Sequence, residues 1–270
     1  MSSVLNARVR AVASKELAEY RRNRLVVVSM ALLPALLFAL ALAALIPLPD
    51  GVAERNLRTA GGAALELFLL VPLIIPTVVS VHSVLGEREQ GTLEPLLTTP
   101  VTDGELLRGK AIAACAPAVL LSWLLFGLFA GAGALWMRPS VLRWVFTGES
   151  VLAALAFAPL MAAFAVIATM LVSAGTRDLR VAQQLAGLAV LPMFLGAMAL
   201  SFRLVPMSYL VYALCAAGVG LLDGLGWLLL RRVFDRELLL AGARPPRRSG
   251  RDRRVPPCRP RDARTGGGPR

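Results

Sequence analysis

The sequence holds 270 residues, of which 57% are hydrophobic and only 17% charged, yet its formal net charge is +12. Soluble domains are about half apolar and about a quarter charged, and disordered chains are polar, so both classes are excluded. With a mean hydropathy of +0.67, the composition is that of a membrane protein whose charge is segregated. Residues 231–270 carry 13 of the 29 basic and 4 of the 17 acidic residues, which leaves only +3 for the rest of the chain.

The small counts exclude more. Cys115, Cys215 and Cys258 form no CxxC pair, so neither a thiolate zinc site nor a disulfide framework is indicated. His82 is the sole histidine, which removes multi-histidine metal sites and proton relays. No apolar/polar alternation recurs at strand length, which argues against an outer-membrane barrel.

In chain order, residues 1–24 come first. Val4, Leu5, Val9, Val12 and Leu17 recur at helical spacing, while Arg8, Lys15, Glu19 and Arg22 fall largely elsewhere on the wheel. This pattern predicts an amphipathic helix lying at the cytoplasmic membrane interface. Six apolar runs then approach the roughly 20 residues needed to cross a bilayer: 25–46, 62–85, 111–136, 151–173, 185–202 and 207–230. The first run is longer than a signal-peptide core and follows a polar lead, so it reads as an uncleaved span. Pro34, Pro72 with Pro76, Pro117, Pro159 and Pro192 fall inside the first five runs. In a bundle, neighbouring helices satisfy the carbonyls that proline frees, so kinked helices are expected. The fifth run is the shortest. A re-entrant hairpin with the start of the sixth, broken near 203–206, is the other reading. The fold class is therefore all-α integral membrane, with six transmembrane helices.

Basic residues orient the spans. Arg8, Arg10, Lys15, Arg21, Arg22 and Arg24 precede the first span, Arg88, Arg108 and Lys110 follow the second, and Arg177 and Arg180 follow the fourth. The opposite connections hold Arg55, Arg58, Arg138, Arg143 and Arg203. Eleven against five places both termini in the cytoplasm, across the cytoplasmic membrane. The 231–270 tail adds further basic residues on that side. Rich in Arg, Pro and Gly, it is expected to be disordered.

The connection at 86–110 differs from the others. It begins Gly86-Glu87-Arg88-Glu89-Gln90-Gly91-Thr92-Leu93-Glu94-Pro95-Leu96-Leu97-Thr98-Thr99-Pro100 and ends Glu105-Leu106-Leu107-Arg108-Gly109-Lys110. One turn would present Leu93, Leu96 and Leu97 together. Thr102 or Asp103 would cap a second short helix through Glu105, Leu106 and Leu107. Short amphipathic helices of this kind suit a soluble partner, with leucines filling a groove and charges fixing register.

These residues resemble the cytoplasmic loop of ABC-2 type transporter permeases, of the sodium- or drug-efflux kind. The stretch Lys15-Glu16-Leu17-Ala18-Glu19-Tyr20-Arg21-Arg22-Asn23-Arg24 is similar to that family's entry into its first span, and the likeness extends over about residues 8–240. The resemblance implies the permease subunit of an ABC exporter that works by alternating access. It would pair with a second, identical or homologous permease and with a separate ATPase subunit that holds ATP and Mg, while this chain binds no cofactor. It also implies that 86–110 is the coupling loop riding on the ATPase. Glu87, Arg88, Glu89, Gly91, Thr92, Leu93, Glu94, Leu96, Leu97, Pro100, Glu105, Gly109 and Lys110 are its candidate residues. The basic tail departs from the family pattern, in which the chain ends soon after the last span.

Gly104–Ala111 matches G-x-x-x-x-G-K but offers alanine where a phosphate loop needs Ser or Thr for magnesium, and no strand precedes it. ATP hydrolysis is therefore expected in the partner, and this chain is read as a transport subunit rather than an enzyme. Asp223 falls within the sixth run, where a carboxylate is costly in hydrocarbon. It could line a translocation path or bind a cation, or it could face a small-residue helix contact or cytoplasmic water. Glu66 is expected at the outer interface and His82 at the inner one. The glycine pairs 127/131 and 220/224 are matches to the motif of close helix approach. An ATP-independent ion-driven carrier is the alternative function; it would show flux governed by Asp223 without nucleotide. A membrane-embedded lipid-modifying enzyme would need clustered catalytic groups, which the spans do not offer. No nucleic-acid partner is expected, because the excess charge sits in the tail.

Overall fold

The computed structural model describes residues 2–22, 24–48, 53–89, 102–176, 178–201 and 209–233. Among these residues all regular structure is helical: α1 Ser2–Arg22, α2 Arg24–Leu45, α3 Glu54–Glu89, α4 Asp103–Trp136, α5 Pro139–Val145, α6 Gly148–Gly175, α7 Leu179–Ser201 and α8 Tyr209–Val233. Five of them, α3, α4, α6, α7 and α8, are long and apolar enough to cross a membrane. The apolar part of α2 described here, Met30–Leu45, is shorter. The residues predicted as a disordered tail lie outside the described ones beyond Val233.

Local chemistry sets the helix starts. Thr102 caps α4: its hydroxyl accepts from Glu105 N at 3.4 Å, and Glu105 Oε2 accepts from Thr102 N at 2.8 Å. This reciprocal box satisfies two donors that the first turn would otherwise leave open. Asp178 caps α7 by accepting from Arg180 N and Val181 N. Pro139 sits at the first position of α5, where a missing N–H costs nothing. That seven-residue helix lies in the third-to-fourth connection, which the sequence reading treated as a plain link. Phe146, just after it, closes on Phe129 (5.4 Å between ring centres) and Phe126 (5.8 Å), and these rings meet Phe68 of α3. The connection is thereby folded back onto α3 and α4.

The prolines sit inside uninterrupted helices, as expected in a bundle. For Pro72 the compensation is visible. Having no N–H, it frees the carbonyl of Phe68 four residues earlier, and Ser122 of α4 donates to that oxygen at 3.4 Å. Ser122→Ala removes the donor from a buried carbonyl. We expect a loss of about 1 kcal/mol, read as a lower thermal midpoint of the detergent-solubilised chain.

The core centres on α3, which packs against α2, α4, α5, α6 and α7. The fifth span is a continuous 23-residue helix that begins six residues before the predicted start. Its stretch Leu179–Ala199 is long and apolar enough to cross a membrane. The segment 202–208, where the break was placed, lies outside the described residues. α8 runs along α6, with Gly226 held tightly against Ile167. Leu188, Leu191 and Leu195 on α7, and Leu214, Leu221, Leu225 and Leu228 on α8, are exposed. Such outward leucines are stable only where the surroundings are hydrocarbon or another apolar surface.

Glu66 is 5% exposed, three turns into α3. Gly127 and Gly131 have open space where a side chain would go, so this glycine pair makes no close approach within the chain.

Candidate functional site

The connection expected to carry the function is flanked by helix on both sides. α3 continues to Glu89, and α4 begins at Asp103. Thr102 therefore caps the third span itself, not a separate short helix, and both spans project as rods toward the segment 90–101. Glu87, Arg88 and Glu89 form the last turn of α3. Gly91, Thr92, Leu93, Glu94, Leu96, Leu97 and Pro100 lie outside the described residues.

The other three candidates, Glu105, Gly109 and Lys110, face α1. Its residues Val9, Val12, Glu16 and Tyr20 recur every three or four positions and form one stripe along the first turns of α4, with Arg8 beside Val9. At Gly109 the helices come so close that an added Cβ would stand 2.5 Å from Val12 Cγ1 and 3.2 Å from the Val9 carbonyl oxygen. One turn back, Arg8 Nη1 lies 3.7 Å from Glu105 Oε2, adding an opposite charge to the capping carboxylate.

Lys110 completes the junction. Its Nζ donates to Glu16 Oε1 at 2.8 Å, to the Ser83 carbonyl at 3.0 Å and to Ser83 Oγ at 3.0 Å. The Ser83 hydroxyl donates to Glu16 Oε2 at 2.8 Å, and the Tyr20 hydroxyl donates to the same oxygen at 3.2 Å. The Lys110 and Glu16 side chains are 3% and 2% exposed. Burial, and then the Glu16 charge, push the Tyr20 phenol well above its ordinary range, which keeps it a proton donor. A charge pair taken out of water is tolerable only when hydrogen bonds occupy its remaining donor and acceptor sites. Here both carboxylate oxygens are held and three oxygens surround the ammonium. One network thus joins α1, the C-terminal part of α3 and the start of α4, which are the two rods flanking 90–101 and the helix that precedes the spans.

Comparison with known families bears on this arrangement. The family model described as "ABC-2 family transporter protein" matches residues 10–213, from the stripe on α1 to the second turn of α8. The chain belongs to the ABC-2 transporter family. It is a multi-pass membrane protein and the permease of an ABC-type system. No curated protein sequence matches the chain.

In this ABC-2 permease, Gly104–Lys110 is α-helical. Glu105 N and Leu106 N are already bonded to Thr102, whereas a phosphate loop needs free N–H groups that converge on an anion. Lys110, which would reach the phosphates, is enclosed by Glu16 and Ser83. His82 stands two turns before the C-terminal end of α3, where Gln183 Nε2 of α7 donates to its Nε2 at 3.2 Å in the Nδ1–H tautomer. Asp223 is half-buried on α8. Neither of its carboxylate oxygens is open to solvent or hydrogen-bonded among the described residues. Cys115 of α4 lies within its electrostatic reach.

Sequence reasoning missed Glu16, Tyr20 and Ser83. The apolar face assigned to α1 included Leu17, which is exposed, whereas Glu16 and Tyr20 are buried. The available clue was positional. Glu16 and Tyr20 continue the Val9–Val12 stripe at helical spacing, so a charge stood where an apolar residue was due.

Proposed function

We propose that this ABC-2 permease is the transmembrane subunit of an exporter whose separate ATPase subunit, carrying ATP and Mg, docks on the segment 90–101. The carrying observation is the buried Glu16–Ser83–Lys110 network, which ties both helices flanking that segment to α1. A force applied to the segment then moves α1, α3 and α4 as one body instead of bending a flexible connector. ATP-driven closure of the ATPase would switch the spans between inward and outward access, in a dimer with a second permease copy or homologue. Six spans, α2 included, place both termini in the cytoplasm, and α1 lies along the cytoplasmic interface with Leu17 and its neighbours toward the headgroups. The Lys and Arg distribution supports this orientation.

The test is association. The full chain, purified in mild detergent, should co-purify with its separately expressed ATPase. Glu89→Lys and Glu94→Lys combined with Leu93→Ala should abolish both co-purification and transport while leaving the permease's thermal midpoint in place. Unchanged association and transport in that variant would refute the docking role.

A further inference from the structure

A cleft of about 300 Å³ opens between α4 and α8, with α6 as its floor. Ala111, Ile112 and Cys115 form one wall, Trp227 the other, and Val166 and Ile167 part of the floor. Arg108 is the one charged residue lining it, through the apolar stem of an exposed side chain. Seven residues separate Arg108 from Cys115, which is ~10 Å along the helix axis. Arg108 and Trp227 share the cleft, so the end of α8 that carries Arg231 and Arg232 lies at the Arg108 end. Asp223 is one turn deeper on α8, within electrostatic reach of Cys115.

We propose that this cleft is a binding site for one anionic glycerophospholipid, its phosphate on Arg108 and an acyl chain laid toward Cys115. The apolar walls offer no hydrogen-bonding group to select a polar solute, and they match a hydrocarbon chain. The cation stands at the membrane-surface end, where a headgroup phosphate lies, with two further arginines at the same end. The proposal rests on α4, α6 and α8 crossing the bilayer and not on the ATPase reading.

The experiment uses the full chain in nanodiscs of phosphatidylglycerol and phosphatidylcholine with matched acyl chains. Each lipid in turn carries a photoreactive diazirine at the chain end, and cross-links are mapped by mass spectrometry. Phosphatidylglycerol should label residues 111–115 and 163–167 in preference to phosphatidylcholine. Arg108→Gln should cut phosphatidylglycerol labelling about five-fold, the weight of one basic residue at an anionic surface, and leave phosphatidylcholine unchanged. Ile112→Trp, at an exposed position that tolerates size, should block the cleft to both lipids. Equal labelling by the two lipids, an unchanged Arg108→Gln variant, or labels spread over the outward leucines of α7 and α8 would each overturn the proposal.

Discussion

Lys110→Ala is expected to destabilise the permease by about 3–5 kcal/mol, because it leaves the Glu16 carboxylate buried and uncompensated. The loss exceeds that of any single neutral hydrogen bond in the junction, since a charge without its counter-ion carries its whole desolvation penalty. Glu16→Ala should cost a similar amount from the opposite side, because it takes the carboxylate away from a buried ammonium. The double replacement Glu16→Leu with Lys110→Met should recover most of the loss. It substitutes apolar groups of comparable length for both charges, an exchange that is often neutral in buried pairs. Thermal midpoints of the wild type, Glu16→Leu, Lys110→Met and the double variant in one detergent close a double-mutant cycle, with a coupling energy of about 2 kcal/mol or more for contacting residues. Additive losses would mean that the two charges do not sense each other. The double variant also separates stability from transmission. If the network only holds α1 in place, transport by the double variant should match the wild type. If directional hydrogen bonds carry the motion, transport should fall in a protein that is still folded.

The sequence made the bundle legible for a physical reason. In hydrocarbon every backbone group must be satisfied within the segment, so apolar length alone nearly dictates helix, and even five proline-bearing runs could be read as helices. The cap at Thr102 was equally readable, because a capping box is a local pattern of four residues. The junction was not legible. Glu16, Ser83 and Lys110 are 67 and 27 residues apart in sequence, and only the packing of α1 across α3 and α4 makes them neighbours. Lys110 reads as a loop residue because charges default to water, and Glu16 belongs to neither face named for α1. Each charge hides the other's burial until their distance is known.

Gly109 gives the sharpest test of whether α1 is seated as described. Its backbone is ordinary helix, so on propensity alone Gly109→Ala should stabilise α4 by about 1 kcal/mol. Packing predicts the opposite sign. The new methyl would lie 2.5 Å from Val12 Cγ1 and 2.6 Å from Val12 Cβ. A rotamer change can move Cγ1, but Cβ is fixed to the backbone, so α1 itself must lift away. Overpacking of this kind costs about 1–3 kcal/mol. It also lengthens the 2.8 Å bond between Lys110 and Glu16, since Lys110 follows Gly109 and Glu16 follows Val12 by one turn. The expected result is a lower thermal midpoint with loss of transport. The rescue pattern is diagnostic. Val12→Ala keeps the Cβ and should fail to restore the Gly109→Ala protein, whereas Val12→Gly removes it and should restore part of the loss, less about 1 kcal/mol for glycine within α1. A Gly109→Ala protein more stable than the wild type would show that α1 does not lie against α4. The buried pairing of Lys110 with Glu16 would then have no geometry to support it.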